Sequence, residues 1–107
     1  MNATSPTLSL TTKELHIVQG LLRVYLPSGS KAWVFGSRAK GAPRPASDLD
    51  LAVDAGPRLE FGIVGVLKDS FDVAPLPFNV DLIDLHDISP EFRARIDAHK
   101  IALPGFE

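Results

Sequence analysis

Val34-Phe35-Gly36-Ser37, then ten residues, then Asp48-Leu49-Asp50-Leu51: this stretch of the 107-residue chain decides its fold and its chemistry. Ala32 to Phe35 is a short apolar run of β-favouring residues and predicts a buried strand. It runs into Gly36-Ser37-Arg38-Ala39-Lys40-Gly41, read as a short helical turn closed by glycine, and then into a proline-rich loop over residues 42–47. Asp48 to Val53 alternates acidic and apolar residues. As a strand it carries Asp48 and Asp50 on one face and Leu49, Leu51 and Val53 on the other.

Two carboxylates about 7 Å apart on one strand face repel each other unless something neutralises them. A divalent cation does so directly, and hard Mg²⁺ takes oxygen ligands of this kind. An isolated Asp-x-Asp is more often just a solvated strand face, and Gly-Ser after a strand is more often just a turn. Their combination shifts the balance. A glycine directly after a buried strand permits a sharp turn and the close approach of a ligand. The free N–H groups and hydroxyl of a helical turn beginning at Ser37 suit phosphate oxygens. Arg38, Lys40 and Arg44 add positive charge beside it. The stretch is not a Walker loop, because Ala42-Pro43 follows Gly41 where Lys-Ser/Thr is required.

Working outward, residues 1–10 read as a flexible lead-in and residues 11–107 as a single domain. Thr11 and Glu14 have capping-box spacing, and Thr12 to Leu26 predicts a helix with an apolar stripe of Leu15, Val18, Leu22 and Tyr25, widened by Leu21 and Leu26. Pro27-Ser28-Gly29 stops it. After Gly56-Pro57, Leu59 to Phe71 reads as a helix weakened by Gly62 and Gly65. Asn79 to Leu85 is the third strand, Ser89-Pro90 opens a last helix with Phe92, Ile96 and His99 inward, and Ile101 to Glu107 offers a short edge strand. The order is that of a small α/β fold.

The third strand carries Asp81 and Asp84. Odd spacing sends them to opposite faces, so only one can join Asp48 and Asp50. Position favours Asp81 only slightly. His16, His86 and His99 are scattered without ligand spacing and read as surface or packing residues. Trp33 and Phe35 read as core, Tyr25 as helix packing, and Ser47 as shaping the turn before Asp48.

Composition narrows the classes. Hydrophobic residues are 45% and charged residues 22%, which is globular rather than disordered. With no cysteine, disulfides, thiolate zinc sites and cysteine nucleophiles are excluded. No apolar run approaches the roughly 20 residues of a membrane span, and the first ten residues lack the features of a secretory signal, so the expected location is cytoplasmic. The net charge of −2 conceals +5 over residues 1–47 (six basic, one acidic) and −7 over residues 48–107 (five basic, twelve acidic). A polyphosphate needs the first sign and a metal ion the second.

Gly36-Ser37, Asp48-x-Asp50 and Val80-Asp81-Leu82, in that order, resemble the polymerase-β-type nucleotidyltransferase signature. In the form Phe35-Gly36-Ser37-Arg38-Ala39-Lys40-Gly41 with Ser47-Asp48-Leu49-Asp50-Leu51, the chain is similar to the minimal nucleotidyltransferases over about residues 11–103. The resemblance implies a small mixed sheet with helices packed on one side. It implies Asp48, Asp50 and Asp81 as catalytic and metal-binding residues for two Mg²⁺ ions, with Mn²⁺ as a substitute. Gly36 and Ser37 would hold the nucleotide, with Arg38 and Lys40 beside them and ATP as substrate. It further implies a helical HEPN-type partner protein, to whose hydroxyl AMP is transferred, in a toxin–antitoxin pair. The competing expectations are a nucleotide-binding antitoxin that acts by complex formation alone, and the catalytic subunit of a two-part small-molecule nucleotidyltransferase. A nucleic-acid substrate is not expected, because no basic duplex-binding face is apparent.

Overall fold

The computed structural model describes residues 9–39 and 47–107. Most of the lead-in, and with it Lys40, Gly41 and Arg44, lies outside these residues. Helix α1 (Thr12–Tyr25) starts where local chemistry requires. The Thr11 hydroxyl accepts from the Glu14 N–H at 3.1 Å, and the Glu14 carboxylate accepts from the Thr11 N–H at 3.0 Å. Leu15, Val18 and Leu22 form its buried stripe, with Tyr25 half-buried at the margin.

Strand β1 (Lys31–Phe35) leads through a single 3-10 turn, Gly36–Arg38, towards β2 (Leu49–Asp54). Helix α2 (Phe61–Val73) then crosses over to β3 (Val80–Asp84), and α3 (Pro90–Asp97) precedes the two-residue β4 (Ile101–Ala102). The strand order is β3-β2-β1-β4. β1 pairs antiparallel with both β2 and β4, whereas β2 and β3 are parallel. A parallel pair cannot be closed by a tight turn, and α2 supplies the crossover.

Helix α2 begins two residues later than its sequence suggests. The Leu59 N–H is taken by the Asp84 carboxylate at 2.7 Å, which holds Leu59 outside the helix. At the other end α2 runs on to Val73, and Ala74 turns extended because Pro75 follows. β3 ends at Asp84, whose carboxylate also accepts from the His86 N–H at 2.9 Å and so turns the chain.

Two helices pack on one side, as expected. Residues of α1 and α2 bury Ala32, Val34, Leu49, Leu51, Val53, Val80 and Leu82 in the main core. The third helix does not join them. Phe92 and Ile96 of α3 cover Phe35 and Ala52 on the opposite face, with the Phe92 ring edge-on to Phe35 at 6.2 Å. The C-terminal tail closes along β1: the Leu103 N–H donates to the Ala32 carbonyl and the Ala32 N–H to the Phe106 carbonyl. Among the described residues no helix is long and apolar enough to cross a membrane.

Candidate active site

Register brings the motif residues together. Phe35 stands opposite Asp50 in the antiparallel pair, and Asp50 stands beside Asp81 in the parallel pair. Gly36, the next residue after Phe35, therefore lies against the Asp50 side chain. Its φ is +74°, a conformation that glycine adopts without penalty, and a Cβ built there would collide with the Asp50 carboxylate. Two independent constraints thus demand glycine at this position. Ser37 follows in the 3-10 turn and is exposed, while the Ala39 N–H closes the turn on the Gly36 carbonyl at 3.1 Å.

Asp48 is exposed just before β2, Asp50 is half-buried within it, and Asp81 is exposed on the edge strand β3. Burial pushes the Asp50 carboxyl up from its ordinary 3.8 to about 6. Repulsion from Asp81 and then Asp48 adds to this, as does a hydrogen bond to the Asp81 side chain. A cation would relieve the repulsion between these neighbouring carboxylates, and their hard oxygen donors fit Mg²⁺ or Mn²⁺. Among the described residues no group of three acids or histidines is arranged to hold a metal ion. The seat is thus two adjacent carboxylates with Asp48 as a third charge, rather than a finished cage.

The other acid of β3 has a different task. Asp84 is buried at 6% exposure on the helix-covered face, where its two oxygens accept the Leu59 and His86 N–H groups. The choice that the sequence left nearly open is settled by face: Asp81, not Asp84, lies beside Asp50.

Arg38 is not where its motif position suggested. It is 4% exposed, donates from Nε to the Ser47 carbonyl at 3.1 Å and from Nη1 to the Ser9 carbonyl at 2.7 Å, and stacks 4.2 Å from the Phe78 ring centroid. The guanidinium fork satisfies the Ser9 and Ser47 carbonyls instead of meeting solvent. It holds the residue immediately before Asp48, and thereby the start of β2. Lys40, expected beside the phosphates, lies outside the described residues.

One contact was missed by sequence reasoning. Nε2 of His99 accepts from the Gly36 N–H at 3.1 Å, across 63 residues of chain. The stripe Phe92, Ile96, His99 gave the inward face, and its first two members pack on Phe35, but His99 lies beyond the end of α3 and its partner is a backbone N–H, which leaves no spacing to read. By contrast His86 pairs with Asp54 at 2.7 Å towards the other end of β2. A cavity of about 360 Å³ between α2 and the end of β3 is lined by residues such as Arg58, Phe61 and Lys68, and by none of Asp48, Asp50 and Asp81.

Residues 26–104 match the family model described as polymerase beta, nucleotidyltransferase. The chain is 40% identical, over 80% of its length and 75% of the relative's, to a "Probable protein adenylyltransferase MntA" of Haemophilus influenzae. A crystal structure of a toxin–antitoxin with AMP-PNP superposes with a TM-score of 0.73 at 27% identity, covering 85% of this chain and 73% of that one. A variant of the toxin–antitoxin MntA-HpeT gives 0.70 at 29% identity, covering 84% and 71%. The fold, the juxtaposed Gly36, Asp50 and Asp81, and these likenesses agree: the chain belongs to the polymerase-β-type nucleotidyltransferase family.

Proposed function

We propose that the protein transfers AMP from ATP to a hydroxyl of a partner protein, as the antitoxin half of a toxin–antitoxin pair. The observation that carries this reading is the side-by-side placement of Asp50 and Asp81 next to the Gly36–Ser37 turn. The similarity to an adenylyltransferase and to toxin–antitoxin complexes supports the choice of nucleotide and partner. A helical HEPN-type toxin is the partner that the family resemblance implies, and the cytoplasm is the compartment that suits a reaction drawing on ATP.

Gly36 shapes the turn, and the exposed Ser37 presents its N–H and hydroxyl to the triphosphate. Asp50 and Asp81, aided by Asp48, would hold divalent cations such as Mg²⁺, which would supply neutralisation of the phosphate charge at the attacking and leaving oxygens. The acceptor oxygen forms a bond to the α-phosphorus, the bond from that phosphorus to pyrophosphate breaks, and pyrophosphate departs. Asp81, exposed on the edge strand, takes the acceptor's proton. The rest of the catalysis is positioning, which the sheet register supplies.

The test is incubation with α-labelled ATP, Mg²⁺ and a helical HEPN-type protein from the same genome. Label on the partner, lost in Asp48→Ala plus Asp50→Ala, is the expected result. Neutralisation of the partner that survives in the doubly substituted protein, with no label transferred by the wild type, would establish the alternative of inhibition by binding alone.

A further inference from the structure

We propose that His99 is a positioning residue for nucleotide binding, one that holds the Gly36–Ser37 turn in its phosphate-ready form from the far end of the chain. The inference rests on the proposed nucleotidyl transfer and adds to it a residue outside the signature motif.

A backbone N–H can only donate, so the Nε2 that meets the Gly36 N–H at 3.1 Å must present a lone pair. The tautomer that makes this bond is the one with its proton on Nδ1. The bond adds a fixed acceptor to a peptide that lies between the Phe35–Asp50 rung and the turn closed by the Ala39 N–H. Gly36 lacks a side chain, sits at φ +74°, and begins the 3-10 turn that carries Ser37. Glycine in the unfolded or loosened state samples many conformations, and an acceptor fixed from outside the turn selects one.

The anchor itself is well supported. The His99 N–H and the Lys100 N–H donate to the Ile96 carbonyl at 3.1 and 2.9 Å, and Ile96 is 1% exposed against Phe35 and Ala52. On the other side, Ile101 of β4 pairs with Val34. His99 is thus held between a buried helix end and a strand that is in register with the strand leading to Gly36. Across the turn, Asp50 lies against Gly36 closely enough to forbid a Cβ. Tilting the Gly36 peptide therefore disturbs the acid pair and the phosphate donors together. A preformed turn lowers the ordering cost that nucleotide binding must otherwise meet.

The experiment compares His99→Ala and His99→Gln with wild type, in the full chain with its partner. Gln places an amide oxygen where Nε2 stands; Ala offers no acceptor. Three readouts are taken: the affinity for Mg²⁺-ATP, the KM and kcat of AMP transfer, and hydrogen exchange of the Gly36 amide in the nucleotide-free protein. The expected result for His99→Ala is faster Gly36 exchange and a KM and dissociation constant for ATP raised about 3- to 10-fold, the worth of one hydrogen bond, with kcat changed less than about twofold. His99→Gln restores most of the affinity and the amide protection. Unchanged or tighter ATP binding in His99→Ala overturns the proposal, as does equal loss in both variants at unaltered melting temperature. A wild-type protein that binds no ATP removes the underlying reading, and this one with it. One that binds ATP and transfers AMP while His99→Ala matches it removes only this one.

Discussion

Asp50 and Asp81 occupy the same rung of the parallel β2–β3 pairing, and the Asp50 carboxyl is pushed up to about 6. A repulsive pair set side by side is a stability cost in the metal-free protein and a source of affinity for a cation.

The cost has a definite sign with pH. Between 3.8 and about 6 the folded protein keeps a proton on Asp50 that the unfolded chain has released. Stability of the metal-free protein therefore falls as pH rises through that window, and the penalty is complete above it. The gap amounts to at most about 3 kcal/mol, which solvent screening at this half-exposed site reduces to about 1 kcal/mol. Asp50→Asn is expected to be more stable than wild type by about that amount near pH 7.5 and by almost nothing below about pH 4. Urea denaturation in a chelator at the two pH values measures this; parallel pH dependences for the two proteins would reject it.

Cation binding should show the same proton in reverse. Mn²⁺ affinity, followed by paramagnetic resonance, is expected to tighten between about pH 5 and pH 7 as the Asp50 proton leaves. Asp50→Asn and Asp81→Asn should each weaken it by at least about tenfold, since each removes half of the paired seat. Asp84→Asn should leave it unchanged. A comparable loss in Asp84→Asn would mean that the seat is not the one described.

The two acids of β3 should separate cleanly in stability. Asp84 satisfies two backbone N–H groups in a buried site, so Asp84→Ala is expected to cost about 1–3 kcal/mol in thermal or urea unfolding. Asp81→Ala, on an exposed position, should not destabilise the metal-free protein, yet should abolish label transfer.

Glycine replacements provide an internal control. Gly29 has φ +85° with open space where a Cβ would go, whereas Gly36 has φ +74° and the Asp50 carboxylate in the way. Gly29→Ala should show only the backbone cost of about 1–2 kcal/mol. Gly36→Ala should cost more than this in melting temperature and should also lose ATP binding. Equal effects of the two substitutions would show that the Gly36–Asp50 contact is not tight.

Arg38→Leu tests whether the guanidinium is a clasp. Removing it leaves the Ser9 and Ser47 carbonyls without that donor in a buried setting, at an expected cost of about 2–4 kcal/mol. Activity measured well below the melting temperature should fall less than the stability suggests. A stable variant with weakened ATP binding would return Arg38 to the phosphates.

What could be read in the sequence was what local rules determine. The capping box at Thr11 and Glu14, the serine and proline opening α3, and the alternation that faces Asp48 and Asp50 one way are all set within a few residues. The spacing from Gly36 to Asp81 carried the site because β-register converts sequence position into lateral adjacency. What was not legible depends on distant partners. The start of α2 is set by Asp84, 25 residues from Leu59. Arg38 looked like a phosphate ligand because it follows the motif, but Phe78 and two carbonyls determine its direction. His99 gave no ligand spacing because its partner is a backbone N–H, and backbone groups leave no mark in composition.

The crossover from β2 to β3 has a consequence for the order of assembly. β1 and β2 pair antiparallel across a short separation, whereas β3 reaches β2 only after the whole of residues 55–79 has been spanned. Chain closure over the longer segment is entropically dearer and comes later. Asp50 therefore meets Gly36 before Asp81 joins it. A half-folded chain presents the turn and two acids without the neighbour that completes the pair, so chemical competence appears only with the finished sheet.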